Sequence, residues 1–260
     1  MTKQFNSFFI TIILLLTTSF ISICNTFAES TSIEGSGQID LKSSESSPIQ
    51  DPENPIIPVE PTEIASSKGD LRIDYASKVS FGKVKISDGE KKLPALAENF
   101  ITTKQNRGQF VQVTDQRNVS SGWTLQVKQT KQFETKSTKE QKADTLKGAY
   151  LSFDKAWANS GGESGSPRVS RDTLAINSFN TTYEVASATK GNGVGIWSIA
   201  FGSSDGNESG QPNTLVEKVN NDKKTEVVNS AVTLNIPKET KIVPGEYKTE
   251  LVWIIGSLPE

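Results

Sequence analysis

Apolar and polar residues alternate with a period of two in short segments between Leu71 and Ile255, and turn-forming residues separate these segments. Such alternation is typical of half-buried β-strands, whose successive side chains point to opposite faces of a sheet. Only residues 93–100 have apolar spacing that fits a turn of helix. The predicted fold is therefore all-β with little helix, either an Ig-like or Greek-key β-sandwich or a pair of small barrels. The predicted strands are 71–75, 79–86, 109–113, 123–127, 149–153, 183–185, 194–201, 227–236 and 247–255.

The N-terminal apolar run differs from these strands because it is continuous. Lys3 precedes an apolar stretch from Phe8 to Ile23, and small residues follow up to Ala28. This order of a basic start, an apolar stretch and a small-residue cleavage site is typical of a secretory signal peptide, which we assign to residues 1–28. Lipid attachment at Cys24 is disfavoured, because the large residue Ile23 stands where a lipidation motif needs a small one.

Residues 29–69 have the composition of a linker. They hold eight acidic residues against two lysines and contain five prolines. A segment so charged and so poor in apolar residues is expected to stay extended and disordered. Residues 70–260 then form the β-domain, with 25 basic and 22 acidic residues, a mildly basic balance that suits contact with an anionic polymer.

The composition also excludes much catalytic chemistry. The chain has no histidine, and its single cysteine, Cys24, lies in the predicted signal peptide. Histidine-based triads, Cys-His pairs and His/Cys zinc sites are therefore excluded. The glycine run 191–195 precedes a strand instead of a helix, and the acidic loops 205–208 and 220–222 lack regular calcium-ligand spacing. We predict no catalytic residue, no metal and no cofactor.

Two segments carry a resemblance to a known family. The first runs from Val113 to Val127 and joins Asp115-Gln-Arg117 to Gly122-Trp123-Thr-Leu125. The second runs from Pro244 to Ile255 and reads Tyr247-Lys-Thr-Glu-Leu-Val-Trp253-Ile-Ile255. They resemble the proximal and distal motifs of the WxL domain of surface proteins from low-GC Gram-positive bacteria. Ile255 stands where the family motif has leucine.

The resemblance implies candidate binding residues, which are Trp123, Leu125, Trp253, Ile255, Asp115 and Arg117. Two interpretations stay open for the tryptophans. They could fill the core, as large apolar residues of a half-buried strand usually do, or flank one surface on which sugar rings stack. Asp115 and Arg117 are expected to order the turn before Trp123, with direct wall contact as the alternative.

The function implied is non-covalent attachment to the Gram-positive cell wall through peptidoglycan, without catalysis, together with companion surface proteins. The C-terminal sequence Ser-Leu-Pro-Glu260 shows neither an apolar tail nor a basic finish, so neither a covalent sorting signal nor a membrane anchor is expected. No nucleic-acid partner is expected. The alternatives are a host-matrix adhesin and an enzyme that acts on glycans with two carboxylates.

Overall fold

The regular structure consists of strands, as the alternation predicted. The computed structural model describes residues 46–62, 66–86, 89–136, 143–220 and 222–259, so the predicted signal peptide lies outside the described residues. Among the described residues the strands are β1 (Leu71–Ala76), β2 (Lys91–Leu96), β3 (Glu98–Asn99), β4 (Asn106–Arg107), β5 (Gln109–Asp115), β6 (Trp123–Lys136), β7 (Ala143–Thr145), β8 (Tyr150–Phe153), β9 (Ala156–Asn159), β10 (Arg168–Val169), β11 (Leu174–Ile176), β12 (Tyr183–Ala188), β13 (Gly195–Phe201), β14 (Leu215–Val219), β15 (Thr225–Ile236) and β16 (Lys248–Ser257).

The strands form antiparallel sheets whose neighbours are often far apart in sequence, which fits the predicted Greek-key type of connection. The first sheet has the order β1-β5-β13-β9. The second has the order β10-β12-β6-β16, with β7 also paired to β6. The third has the order β11-β8-β15-β14, with β2 also paired to β15, and β3 and β4 form a separate ribbon.

One apolar core joins the inner faces of these sheets. Val113 comes from the first sheet, Leu125 from the second and Leu234 from the third, and all three side chains are buried in one cluster. Because each sheet buries one apolar face against the others, the arrangement is that of a β-sandwich. The described residues belong to a single compact unit, Lys42–Glu260, which settles the choice between one packed unit and two.

The outer face of the first sheet is also covered. A β-bulge between Ile73 and Tyr75 turns the Tyr75 side chain to this outer face, where it packs with Phe110 and Trp157. Ile49 and Val59 complete the cluster from residues 46–62, which we call the N-terminal strap. The strap therefore closes a second, smaller core.

The strap replaces part of the predicted linker. Asp51 is fully buried and accepts hydrogen bonds from Nε and Nη2 of Arg107, both at 2.8 Å. Glu53 lies 3.4 Å from Arg107 and accepts a hydrogen bond from the backbone N–H of Ser204. The interpretation of 29–69 as a disordered linker is thus wrong for residues 46–62. Asp51 and Glu53 share the positive charge of Arg107 inside the fold, and net charge alone does not reveal this pairing.

One predicted strand is missing. Residues 77–86, which we call the crossing segment, form no strand, although their apolar residues alternate. Their backbone makes only isolated hydrogen bonds to neighbouring strands, from the Ser77 N–H to the Phe110 carbonyl and from the Leu96 N–H to the Ser80 carbonyl. Val79 and Phe81 pack on the core, and the ring of Phe81 meets that of Phe133 edge-on at 6.4 Å. Gly82 has a positive φ of 64°, which interrupts the extended backbone that a strand requires.

The predicted helical turn at 93–100 is also wrong. Leu93 lies in β2, and the two-residue strand β3 follows at Glu98–Asn99. Pairing with β15 explains the difference, because Leu93 lies opposite Leu234 and Pro94 opposite Thr233, and proline is tolerated on a strand at the margin of a sheet. No helix in the described ranges is long and apolar enough to cross a membrane.

Candidate functional site

The two motif segments lie side by side in the second sheet. β6 carries Trp123 and Leu125, and its antiparallel neighbour β16 carries Trp253 and Ile255. In the observed register Ile255 is opposite Leu125, and Trp253 is opposite Val127. Directly opposite residues of antiparallel strands share a face, so the two motifs form one apolar surface on one side of the sheet.

Trp123 belongs to the core. Its side chain is fully buried, and its indole N–H donates a hydrogen bond of 3.0 Å to the carbonyl of Gly193. A Cβ atom at Gly193 would lie 2.7 Å from the indole nitrogen, so only glycine fits there. The glycine run 191–195 thus covers Trp123 through Gly193, and neither Trp123 nor the equally buried Leu125 can touch a wall polymer directly.

Asp115 and Arg117 hold the two motifs together. The carboxylate of Asp115 is 1% exposed and accepts hydrogen bonds of 2.8 Å from Nε and Nη2 of Arg117. Arg117 also donates to the carbonyl of Gly122 and to the hydroxyl of Ser257 at the end of β16. The contacts agree with the expected ordering of the turn and extend it to the C-terminal strand.

Electrostatics favour the charged form of this pair. Burial by itself would raise the pKa of Asp115, but hydrogen bonds from Arg117 and Ser120 outweigh it and lower the pKa below its ordinary value. The hydrogen bond to Asp115 raises the pKa of Arg117. The pair therefore stays ionised at neutral pH.

Trp253 differs from the other tryptophans of the chain. The indole N–H groups of Trp123, Trp157 and Trp197 each donate to a backbone carbonyl. Trp253 is only partly buried, and its ring contacts Phe153 at 6.0 Å between centroids. Within the described ranges no hydrogen-bond acceptor is found for its indole N–H, so Trp253 is the motif tryptophan that could bind an external group.

Trp253 lines a cleft of about 910 Å³ between the second and third sheets. The crossing segment and the loop before β16 form its other walls. Aromatic residues of intermediate exposure stand at its mouth, and we define the mouth by Phe81, Tyr247 and Trp253. Its buried floor consists of five apolar side chains, Phe133, Leu146, Leu151, Leu234 and Ile236, and of Ser77, whose hydroxyl accepts a hydrogen bond from the backbone N–H of Phe110.

Charged groups surround the cleft unevenly. The described lining includes four lysines and one carboxylate, and we call this set the rim: Lys78, Lys85, Lys91, Lys248 and Glu246. Lys248 lies 3.2 Å from Glu246, while Lys91 donates to the carbonyl of Gly89. The rim therefore carries an excess of positive charge beside an apolar floor.

Comparison with known proteins identifies the family. The model of the family described as WxL domain surface cell wall-binding matches residues 28–259, which is nearly the whole chain. The chain belongs to the WxL family. No curated protein and no solved structure gives a significant match. Membership places this WxL protein at the cell surface, in association with the cell wall.

Within this WxL domain the predicted binding residues divide into two groups. Trp123, Leu125 and Asp115 are buried, while Arg117 is committed to contacts inside the fold. Ile255 is partly buried and packs on the core, a place that isoleucine fills as leucine would. Of the predicted binding residues, only Trp253 lines the cleft. The sequence pattern did not predict the cleft, because its walls come from segments that are far apart in the sequence.

Across the described ranges no cluster of three or more Asp, Glu, His or Cys side chains could hold a metal ion. In the 202–210 loop the Asn207 amide donates to the carbonyls of Ser204 and Gln211, so it stabilises the loop conformation.

Proposed function

We propose that this protein is a non-catalytic subunit of the cell surface that binds peptidoglycan non-covalently. The observation that carries the proposal is the partly exposed Trp253 at the mouth of a cleft, where Tyr247 and Phe81 supply further rings. Aromatic faces can stack on sugar rings, and an indole N–H can donate to a sugar oxygen or an amide carbonyl. Rim lysines would add attraction to carboxylates of the wall.

The proposal is tested by sedimentation with insoluble peptidoglycan free of teichoic acid. The wild-type protein is expected to sediment, and Trp253→Ala is expected to stay largely in solution. Phe179→Ala is the matched control, because Phe179 is 46% exposed and lies outside the cleft. Circular dichroism must show that each variant is folded. Failure of the wild-type protein to sediment would reject peptidoglycan binding by this chain alone.

We also propose that the protein acts in a complex with companion surface proteins. β16 supports this, because it pairs with β6 on one side only and presents a run of partly buried apolar residues, 251–255. Edge strands of this kind are used for strand addition by partners. The native mass of the protein extracted from the cell surface tests the idea: a mass equal to the monomer would contradict it.

The two alternatives predict different results. A host-matrix adhesin would show saturable binding to collagen or fibronectin by the isolated protein. A carboxylate enzyme would release soluble sugar from peptidoglycan, and its best acid would be Glu98, because burial raises the pKa of this carboxyl. We expect no release by the wild-type protein, and release that Glu98→Gln abolishes would overturn the non-catalytic proposal.

A further inference from the structure

The floor of the cleft calls for a ligand chemistry that a glycan does not supply. Its apolar side chains, including Phe133, Leu151 and Leu234, form no hydrogen bonds, and the hydroxyl of buried Ser77 already accepts one from the backbone N–H of Phe110. A sugar placed there would lose hydrogen bonds to water without replacement, which is unfavourable. An apolar group would gain from the same surroundings. The volume of about 910 Å³ lies within the usual range for small-molecule sites.

The lysines of the rim favour a ligand with a negatively charged group. Lysines at positions 78, 85, 91 and 248 line the cleft together with Glu246 alone among the described acids. Lys85 lies on the crossing segment and Lys91 begins β2, so lysines stand on two different walls, whereas Lys248 of β16 is paired with Glu246 at 3.2 Å. A ligand that fits both parts has an apolar tail and an anionic head.

We infer that the cleft binds an anionic amphiphile, with an acyl chain on the apolar floor and a phosphate-bearing head group at the lysine rim. The partly buried Trp253 lines the same cleft, and its indole N–H can donate to the head group. The inference goes beyond peptidoglycan attachment and does not require it. The expected ligand is a lipid-linked molecule of the cell surface, because free phosphate would leave the apolar floor unoccupied.

Titration calorimetry of the full chain with lysophosphatidylglycerols of increasing acyl length, each below its micellar concentration, tests the inference. Binding should saturate at one molecule per chain. Each added methylene should tighten binding up to roughly fourfold until the floor is full, after which affinity should level off. Binding that strengthens without levelling, or no binding, would overturn the inference.

Substitutions separate the contribution of the rim. Lys85→Glu should weaken lysophosphatidylglycerol binding roughly fivefold or more. Lys218→Glu is the matched control, because Lys218 is exposed on β14 and lies outside the cleft. Equal weakening by both variants, or equal affinity for zwitterionic lysophosphatidylcholine, would overturn the role of the rim. Equal affinity for glycerol phosphate would overturn the role of the floor.

Sedimentation velocity in the same buffers tests whether a second copy of the chain occupies the cleft instead of a lipid. The wild-type chain is expected to be monomeric with and without the lipid. A dimer that Ile86→Lys dissociates and Val216→Lys leaves intact would assign the cleft to a second copy and overturn the inference; Ile86 lines the cleft and Val216 does not. Lipid binding without peptidoglycan sedimentation would reject only the proposed wall ligand, and the reverse result would reject only the amphiphile.

Discussion

At the scale of single residues, the shared W-x-L pattern hides two different roles. Trp123 is fully buried under Gly193, whereas Trp253 lines an open cleft. The difference follows from position in the sheet: β6 has neighbours on both sides, while β16 is paired on one side only. Two tryptophans of similar sequence context therefore differ in accessibility for a reason that lies outside their own segments.

Asp115 should contribute to stability in a pH-dependent way. Its pKa in the folded protein lies below the ordinary carboxyl value, so its contribution is complete above about pH 4 and is lost as pH falls through the folded pKa. Asp115→Asn should lower the free energy of unfolding by roughly 2–4 kcal/mol at neutral pH, because Arg117 loses its charged partner. Urea unfolding at neutral and acidic pH measures the difference.

The matched control is Asp205→Asn, which changes an exposed acid in the 202–210 loop. It should alter stability little at either pH. A deficit of Asp115→Asn that does not shrink between about pH 7 and about pH 3 would show that the ionised form of Asp115 is not what stabilises the fold.

At the scale of elements, the N-terminal strap shows how composition can mislead. Proline and acidic residues predicted an unfolded linker. However, Ile49 and Val59 of the strap pack in one buried cluster with Tyr75 and Phe110. Backbone hydrogen bonds join Val59 N–H to the Ile49 carbonyl and Asp51 N–H to the Ile57 carbonyl, at 2.8 and 2.9 Å. The strap is thus a closed loop that acts as one element.

Removing the buried acid of the strap should be costly. Asp51→Ala leaves the partly buried Arg107 without its bidentate partner and with Glu53 at 3.4 Å as the remaining carboxylate, so we expect a loss of about 2–3 kcal/mol in the free energy of unfolding. Amide exchange at residues 49–59 should accelerate in the same variant. Glu60→Ala, at an exposed position of the strap, is the control and should have little effect. Equal losses in the two variants would argue that the strap is not anchored through Asp51.

At the scale of the whole molecule, charge is distributed unevenly. The chain has a formal net charge of −2, yet residues 70–260 hold more basic than acidic residues, and four lysines line the cleft. Net charge therefore says little about the local field at the site. A cleft with a positive rim should attract anionic polymers even though the protein as a whole is weakly acidic.

Wall binding should consequently depend on salt. Raising the salt concentration from about 0.1 M to about 1 M shortens the screening length from roughly 10 Å to roughly 3 Å, which should weaken the lysine contacts. Sedimentation with peptidoglycan should fall but not vanish, because contacts of Trp253 with the glycan do not depend on charge. A salt-independent yield would exclude the rim from wall attachment.

The sequence by itself determined most of the long strands, the all-β class and, through the two motifs, the family. These properties are local, because alternation and motif spacing are written in consecutive residues. Only the tertiary structure decided that Trp123 is core while Trp253 is accessible, that the strap is folded, and that an apolar cleft exists. Such features depend on which distant segments pack together: Arg107 neutralises Asp51, and Gly193 covers Trp123. The fold brings together residues that are this far apart in the sequence, so a local sequence pattern cannot predict their contacts.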